Sequence, residues 1–204
     1  KTKKELEAGQ YENAMELLES KIKLYKEYLG DDHEETASVI SALANLYFSK
    51  GFYSKAESHL KSVLKINQKA FGLDHSKTAK AFSELGYLNA VLSKNIQSAT
   101  YYKRALKINE KIFGPNHLET AKSHSSLASV YRILGLYDKS ISSSEKSLEI
   151  FDKLLDRNDP LKFNSLTELA RAYHDQNLYS KAEPLYEKAL EIYKRTFGPN
   201  HENT

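Results

Sequence analysis

The run Asp31-Asp32-His33-Glu34-Glu35 gathers the side chains that could hold a metal. Its histidine has companions. His75 and His117 follow at steps of 42 residues, and His201 follows two steps later with Asp159 at the skipped place. Zinc needs its ligands at about 2 Å from one ion. Residues that recur once per packed helix layer lie about 10 Å apart, so these histidines are not mutual ligands and read as linker-packing residues. The carboxylates beside His33 fit the first turn of a helix, where they complement the positive end of its dipole. No metal is expected. The sequence holds no phosphate-binding glycine loop, no nucleophile elbow and no HExxH motif. It has no cysteine, which removes disulfides and thiolate chemistry. No catalytic residue and no cofactor are expected.

The same step of 42 organises the whole chain. Gly30, Gly72, Gly114 and Gly198 obey it, with Asp156 in the gap. Thr36, Thr78, Thr120 and Thr204 obey it, with Lys162 as the exception. Leu43, Leu85, Leu127 and Leu169 are unbroken. A repeat of this kind is one supersecondary unit that buries its apolar face only by stacking on its neighbours. Between Thr36 and Phe48, the residues Ala37, Ile40, Leu43, Ala44 and Tyr47 fall at helical spacing. Gly51 marks a break, and a second amphipathic run through Leu60, Val63, Leu64 and Ile66 stops at Gly72.

The pattern predicts helices over 11–28, 34–49, 54–70, 76–92, 96–112, 118–134, 138–154, 161–176 and 181–196, and no strand. Asp32, Asp74, Asn116, Asn158 and Asn200 are the expected caps of the first helix in each pair. Gly9, Gly51 and Gly135 are the expected turns within pairs. Ala44, Gly86, Ala128 and Ala170 share one register position, which predicts a close crossing of helices. The second pair has Ser93 and Asn95 where others have glycine and tyrosine, which predicts a longer or looser turn over Ser93–Gln97. Pro160 and Pro184 are placed near helix starts, where a missing N–H costs little.

These residues resemble a known family. Leu43-Ala44-x-x-Tyr47 with Gly51-x-Tyr53-x-x-Ala56 is similar to the tetratricopeptide signature, as are Leu127-Ala128-x-x-Tyr131 with Gly135-x-Tyr137 and Leu169-Ala170-x-x-Tyr173 with Tyr179-x-x-Ala182. The long period, against the usual ~34 residues, and the linkers Phe113-Gly114-Pro115-Asn116-His117 and Phe197-Gly198-Pro199-Asn200-His201 resemble the kinesin light chain type. The asparagine pair that kinesin light chains carry before Leu-Ala is replaced by Ser41-Ala42, Ser83-Glu84, Ser125-Ser126 and Thr167-Glu168. A different protein built from the same repeat is therefore expected.

The resemblance implies an all-α, right-handed superhelical solenoid of antiparallel helix pairs. Residues 1–204 form one solenoid segment: a partial repeat 1–29, repeats 30–71, 72–113, 114–155 and 156–197, and the start of another at 198–204. It implies that the first helices line a concave, peptide-binding groove. The inward positions are Ser38, Ser41 and Asn45; Lys80, Ser83 and Tyr87; Lys122, Ser125 and Ser129; and Asn164, Thr167 and Arg171, with Arg132 and His174 nearer the helix ends. No acidic residue is among them. A polar, mildly basic trough suits an extended partner segment that carries carboxylates.

The function read from this is a non-enzymatic scaffold or adaptor for a protein or peptide partner. The alternative is self-association, or packing on another part of a larger protein of which this chain is a segment. A net charge of +3 is too small to point to nucleic acid. The fourteen tyrosines recur at fixed repeat positions and so read as packing rather than base stacking. No apolar run is long enough to span a bilayer. The expected compartment is the cytoplasm.

Overall fold

The computed structural model describes residues 3–198, and side chains from Gln10 onward. Among the described residues there are nine helices and no strand: α1 (Lys3–Leu29), α2 (Glu34–Ser49), α3 (Tyr53–Phe71), α4 (Ser76–Val91), α5 (Asn95–Phe113), α6 (Leu118–Ile133), α7 (Tyr137–Leu154), α8 (Lys162–Asp175) and α9 (Tyr179–Phe197). The fold class is all-α, as the repeat predicts. The chain divides into two compact units with the boundary between Ser93 and Lys94. The first holds α1–α4 and the second α5–α9. Pro199, Asn200, His201 and Thr204, on which part of the repeat reading rests, lie outside the described residues.

In the first unit Ala37 and Ile40 of α2 meet Val63 and Ile66 of α3 and Ala81 of α4, with Ile22 of α1 packed on the cluster. In the second, Ala121 of α6 packs with Ile150 and Phe151 of α7, and Leu166 of α8 with Ala189 and Ile192 of α9. The small residues at the crossing position are closed off: Ala44, Ala128 and Ala170 are at most 1% exposed, and Gly86 is buried.

The repeating histidines turn out to be the helix caps. His33, His75 and His117 each accept, through Nδ1, the backbone N–H two residues on, at 3.2 Å. They displace the aspartates and asparagines one place earlier that sequence reasoning favoured. The reason is reach: Nδ1 stands as far along its side chain as the Oδ1 of an Asx cap. In the gap repeat Asp159 accepts the Leu161 N–H at 2.9 Å, one residue ahead of α8, whose own N-cap makes no side-chain bond. The threonines three residues on donate to the inter-repeat glycine carbonyl: Thr36 to Gly30, Thr78 to Gly72 and Thr120 to Gly114, at 3.1, 2.9 and 2.8 Å. Where glycine becomes Asp156 and threonine becomes Lys162, the buried Lys162 ammonium instead reaches Asp152 at 2.6 Å and the Leu155 carbonyl at 3.4 Å.

Three expectations change. α1 runs unbroken through Gly9, since a single glycine inside a helix costs only about 1 kcal/mol against alanine. The turn between α4 and α5 is not longer than its counterparts: α5 begins at Asn95, in register with Tyr53 and Tyr137. Ser93 adopts φ +57° to keep that register, where Gly51 and Gly135 take +79° and +71° and Asn177 takes +62°. Pro184 lies in the second turn of α9, because that helix starts at Tyr179.

Candidate functional site

The first helices of the pairs, α2 and α4 in one unit and α6 and α8 in the other, carry the residues expected to meet a partner. In the first unit Ser38 and Ser41 of α2 and Lys80 of α4 line one depression of about 210 Å³, with Asn67 of α3 at its side. Glu84 enters the same depression. Burial pushes its carboxyl up, while Lys80, at 3.9 Å, and the Ser41 hydroxyl work against that. Ser38 is spent on its own helix, donating to the Glu34 carbonyl at 3.0 Å. Asn45 and Tyr87 lie apart from this depression. Tyr87 is 57% exposed, and its ring packs on Phe48 at 5.4 Å. Phe48 in turn packs on Tyr53 at 5.5 Å.

In the second unit the basic residues are drawn together by a carboxylate that sequence reasoning passed over. Glu168, only 7% exposed, accepts from Arg132 Nε at 2.8 Å and from Arg171 Nη1 at 3.1 Å. Arg132 also reaches Asp175 at 3.2 Å. Lys122 pairs along its own helix with Glu119 at 2.7 Å. The Thr167 hydroxyl returns to the Phe163 carbonyl at 2.8 Å. His174 is exposed and stands edge-on to Tyr179 at 5.1 Å.

The expectation of a lining without acidic residues is therefore corrected. Glu84 and Glu168 share the position after the lining residues Ser83 and Thr167, where the other repeats have Ala42 and Ser126. The signal was a carboxylate one helical turn from a cation, Lys80 and Arg171 respectively. Each of the four cations expected to attract a ligand already has a carboxylate beside it. Among the described residues, Asn45, Ser83, Ser125, Ser129 and Asn164 are different: their side chains make no hydrogen bond within the protein.

Comparison with known proteins places this repeated helix pair in a family. A family model for the tetratricopeptide repeat matches residues 5–69, 77–153 and 120–195. The chain belongs to the tetratricopeptide repeat family. Solved structures with this fold include a Podosopora anserina kinesin light chain protein with nearly identical TPR-like repeats, 24% identical, with a TM-score of 0.76 over 94% of this chain and 90% of that one. BtubC from P. vanneervenii is 22% identical, with a TM-score of 0.81 over 98% and 79%. MamA is 20% identical, with a TM-score of 0.64 over 95% and 94%. At these identities the likeness speaks for the fold. Among curated proteins none matches the chain. Tetratricopeptide repeats are typically non-catalytic interaction modules. Among the described residues no helix is long and apolar enough to cross a membrane.

Proposed function

We propose that this tetratricopeptide protein is a scaffold or adaptor whose first-helix faces hold an extended segment of a partner protein. The observation that carries the reading is the set of unpartnered polar side chains on those faces: Asn45 and Ser83 in one unit, and Ser125, Ser129 and Asn164 in the other. Side-chain amides and hydroxyls with free donors and acceptors are what the backbone of an extended ligand requires. The exposed Tyr87 ring beside Phe48 offers an anchor for an apolar side chain. Lys80, Ser41, Thr167, Arg132 and Arg171 then shape the faces rather than supply net charge. This narrows the acidic-partner expectation, because a carboxylate arriving here must compete with Glu84 or Glu168. The cytoplasmic placement follows the family reading, and fractionation of the source cells tests it.

The experiment is affinity capture with the full chain, identification of the bound segment, and its titration against variants. Asn45→Ala and Asn164→Ala should each weaken binding by about 1–2 kcal/mol, the worth of a hydrogen bond left unmade in a partly dry groove. Raising salt from about 0.15 to about 0.5 M should change affinity little, since few unpaired charges are involved. If Lys153→Ala on α7 abolishes binding while both asparagine variants bind as wild type, these faces are not the site.

Self-association is favoured by one separate observation. α9 exposes Tyr179, Tyr186, Leu190 and Phe197, and the first three border a hollow of about 410 Å³. A concentration-independent monomer in sedimentation would count against it.

A further inference from the structure

His124 is the one imidazole at a core position that the repeat fills with aliphatic or aromatic groups. Its counterparts are Ile40, Phe82 and Leu166, which are 4%, 3% and 7% exposed. His124 is 8% exposed, and its Nδ1 has no hydrogen-bond partner. Its Nε2 stands 3.9 Å from Glu110. Burial, helped by the Lys146 charge, lowers its pKa to about 4. Packing alone gives no reason for a polar ring here, since a buried polar atom without a partner costs stability.

The ring lines an open groove of about 480 Å³ between the second helices α5 and α7, floored by α6. Leu106, Leu127 and Tyr131 make the floor apolar. Lys103 and Lys107 stand on the α5 rim, Lys139 and Lys146 on the α7 rim, and only Glu110 and Asp138 oppose them. Lys103 rests over the Tyr131 ring at 5.6 Å. Among the described residues Lys107, Lys139 and Lys146 form no ion pair. This differs from the first-helix faces, where each cation has its carboxylate. Nor does the repeat impose it. One period later Lys103 and Lys107 become Glu145 and Glu149, and His124 becomes Leu166.

We propose that this groove is a docking site for an acidic segment of a partner protein, which lays an apolar side chain on the floor and its carboxylates along the two lysine rims. Charge complementarity selects the occupant: four cations against two anions, with three of the cations unpaired. The apolar floor selects a peptide over a nucleic acid, because Tyr131 is 9% exposed and gives a base no platform to stack on. A carboxylate brought beside His124 stabilises the imidazolium and so raises its pKa. Of the charges that line the groove, Glu110 from α5 stands 3.9 Å from the ring and Lys146 from α7 acts on it; Lys103, Lys107, Asp138 and Lys139 line the same groove.

The test uses the full chain, labelled with nitrogen-15, and a capped peptide of about ten residues, all Glu and Asp except one central Leu. Saturable shifts are expected at Leu106, Leu127 and the His124 ring, with the His124 midpoint rising from about pH 4 as peptide binds. The pair Lys107→Glu and Lys146→Glu should weaken binding at least about tenfold, and the pair Asn45→Ala and Asn164→Ala should leave it unchanged. His124→Leu, which puts an apolar residue here as in the other repeats, should still bind the peptide. Absence of saturable shifts in the groove, shifts confined to the first-helix faces, or unchanged affinity in the charge-reversal pair would overturn the proposal. So would an oligothymidylate that binds the groove more tightly than the peptide.

Discussion

His124 carries its burial as a pH dependence. Its pKa in the fold is about 4, against about 6.5 in an unfolded chain. Between those values the unfolded state binds the extra proton, so stability is intact above about pH 6.5 and falls as the pH drops towards 4. The loss at this one group is on the order of 2–3 kcal/mol. His124→Leu should lack it. Denaturant midpoints for both proteins at about pH 7, 5.5 and 4.5 measure the difference; parallel declines would show that His124 is not the source. At this scale the sequence was legible where a residue type repeats. The linker histidines were recognisable as structural from their period alone. Their cap bond was not, because imidazole is rarely read as an Asx substitute. Glu84 and Glu168 were missed for a related reason: a pattern of lining positions says nothing of neighbours whose charge reaches across to them.

At the scale of helices and turns, the register decides. Each second helix starts in step with its counterparts, and the three residues that precede α5 comply although they lack a glycine. Ser93 therefore holds φ +57°, a conformation that costs a residue with a Cβ about 1–2 kcal/mol. A Cβ at Gly135, in the equivalent turn, would meet nothing within 4 Å, so the difference between the two turns is backbone energy rather than crowding. Ser93→Gly should raise stability by about 0.5–1 kcal/mol, and Gly135→Ala should lower it by about 1 kcal/mol. Thermal or urea unfolding reads both; a destabilised Ser93→Gly would mean that its side chain supplies something the turn needs. Helix bounds were legible to within about two residues for α2 to α9, because apolar spacing and glycine stops agree there. α1 was the exception, since one glycine costs a helix only about 1 kcal/mol and does not by itself end it.

Across the whole chain, burial is uneven. α6 packs against α5, α7 and α8. α1 packs on α2 and leaves Leu17, Leu24 and Tyr28 exposed at 70%, 49% and 75%. Amide exchange should follow within each unit: α1 faster than α2 in the first, and α6 slowest in the second. Uniform protection by mass spectrometry would contradict a stack held by nearest neighbours. The family, helix count and core were readable because they repeat. The charge pattern of each face was not, because charge is where the repeats differ.

The exchange of threonine for Lys162 also bears on how such arrays change copy number. In-frame recombination between repeats removes whole units without disturbing their register. Loss of residues 114–155 would bring Glu110 to the place of Asp152, and the buried ammonium would keep a carboxylate. Loss of residues 72–155 would bring Gln68 there and leave that charge unmatched. Units identical in length are thus unequal as exchangeable parts, and the repeat 156–197 is tied to the history of the one before it.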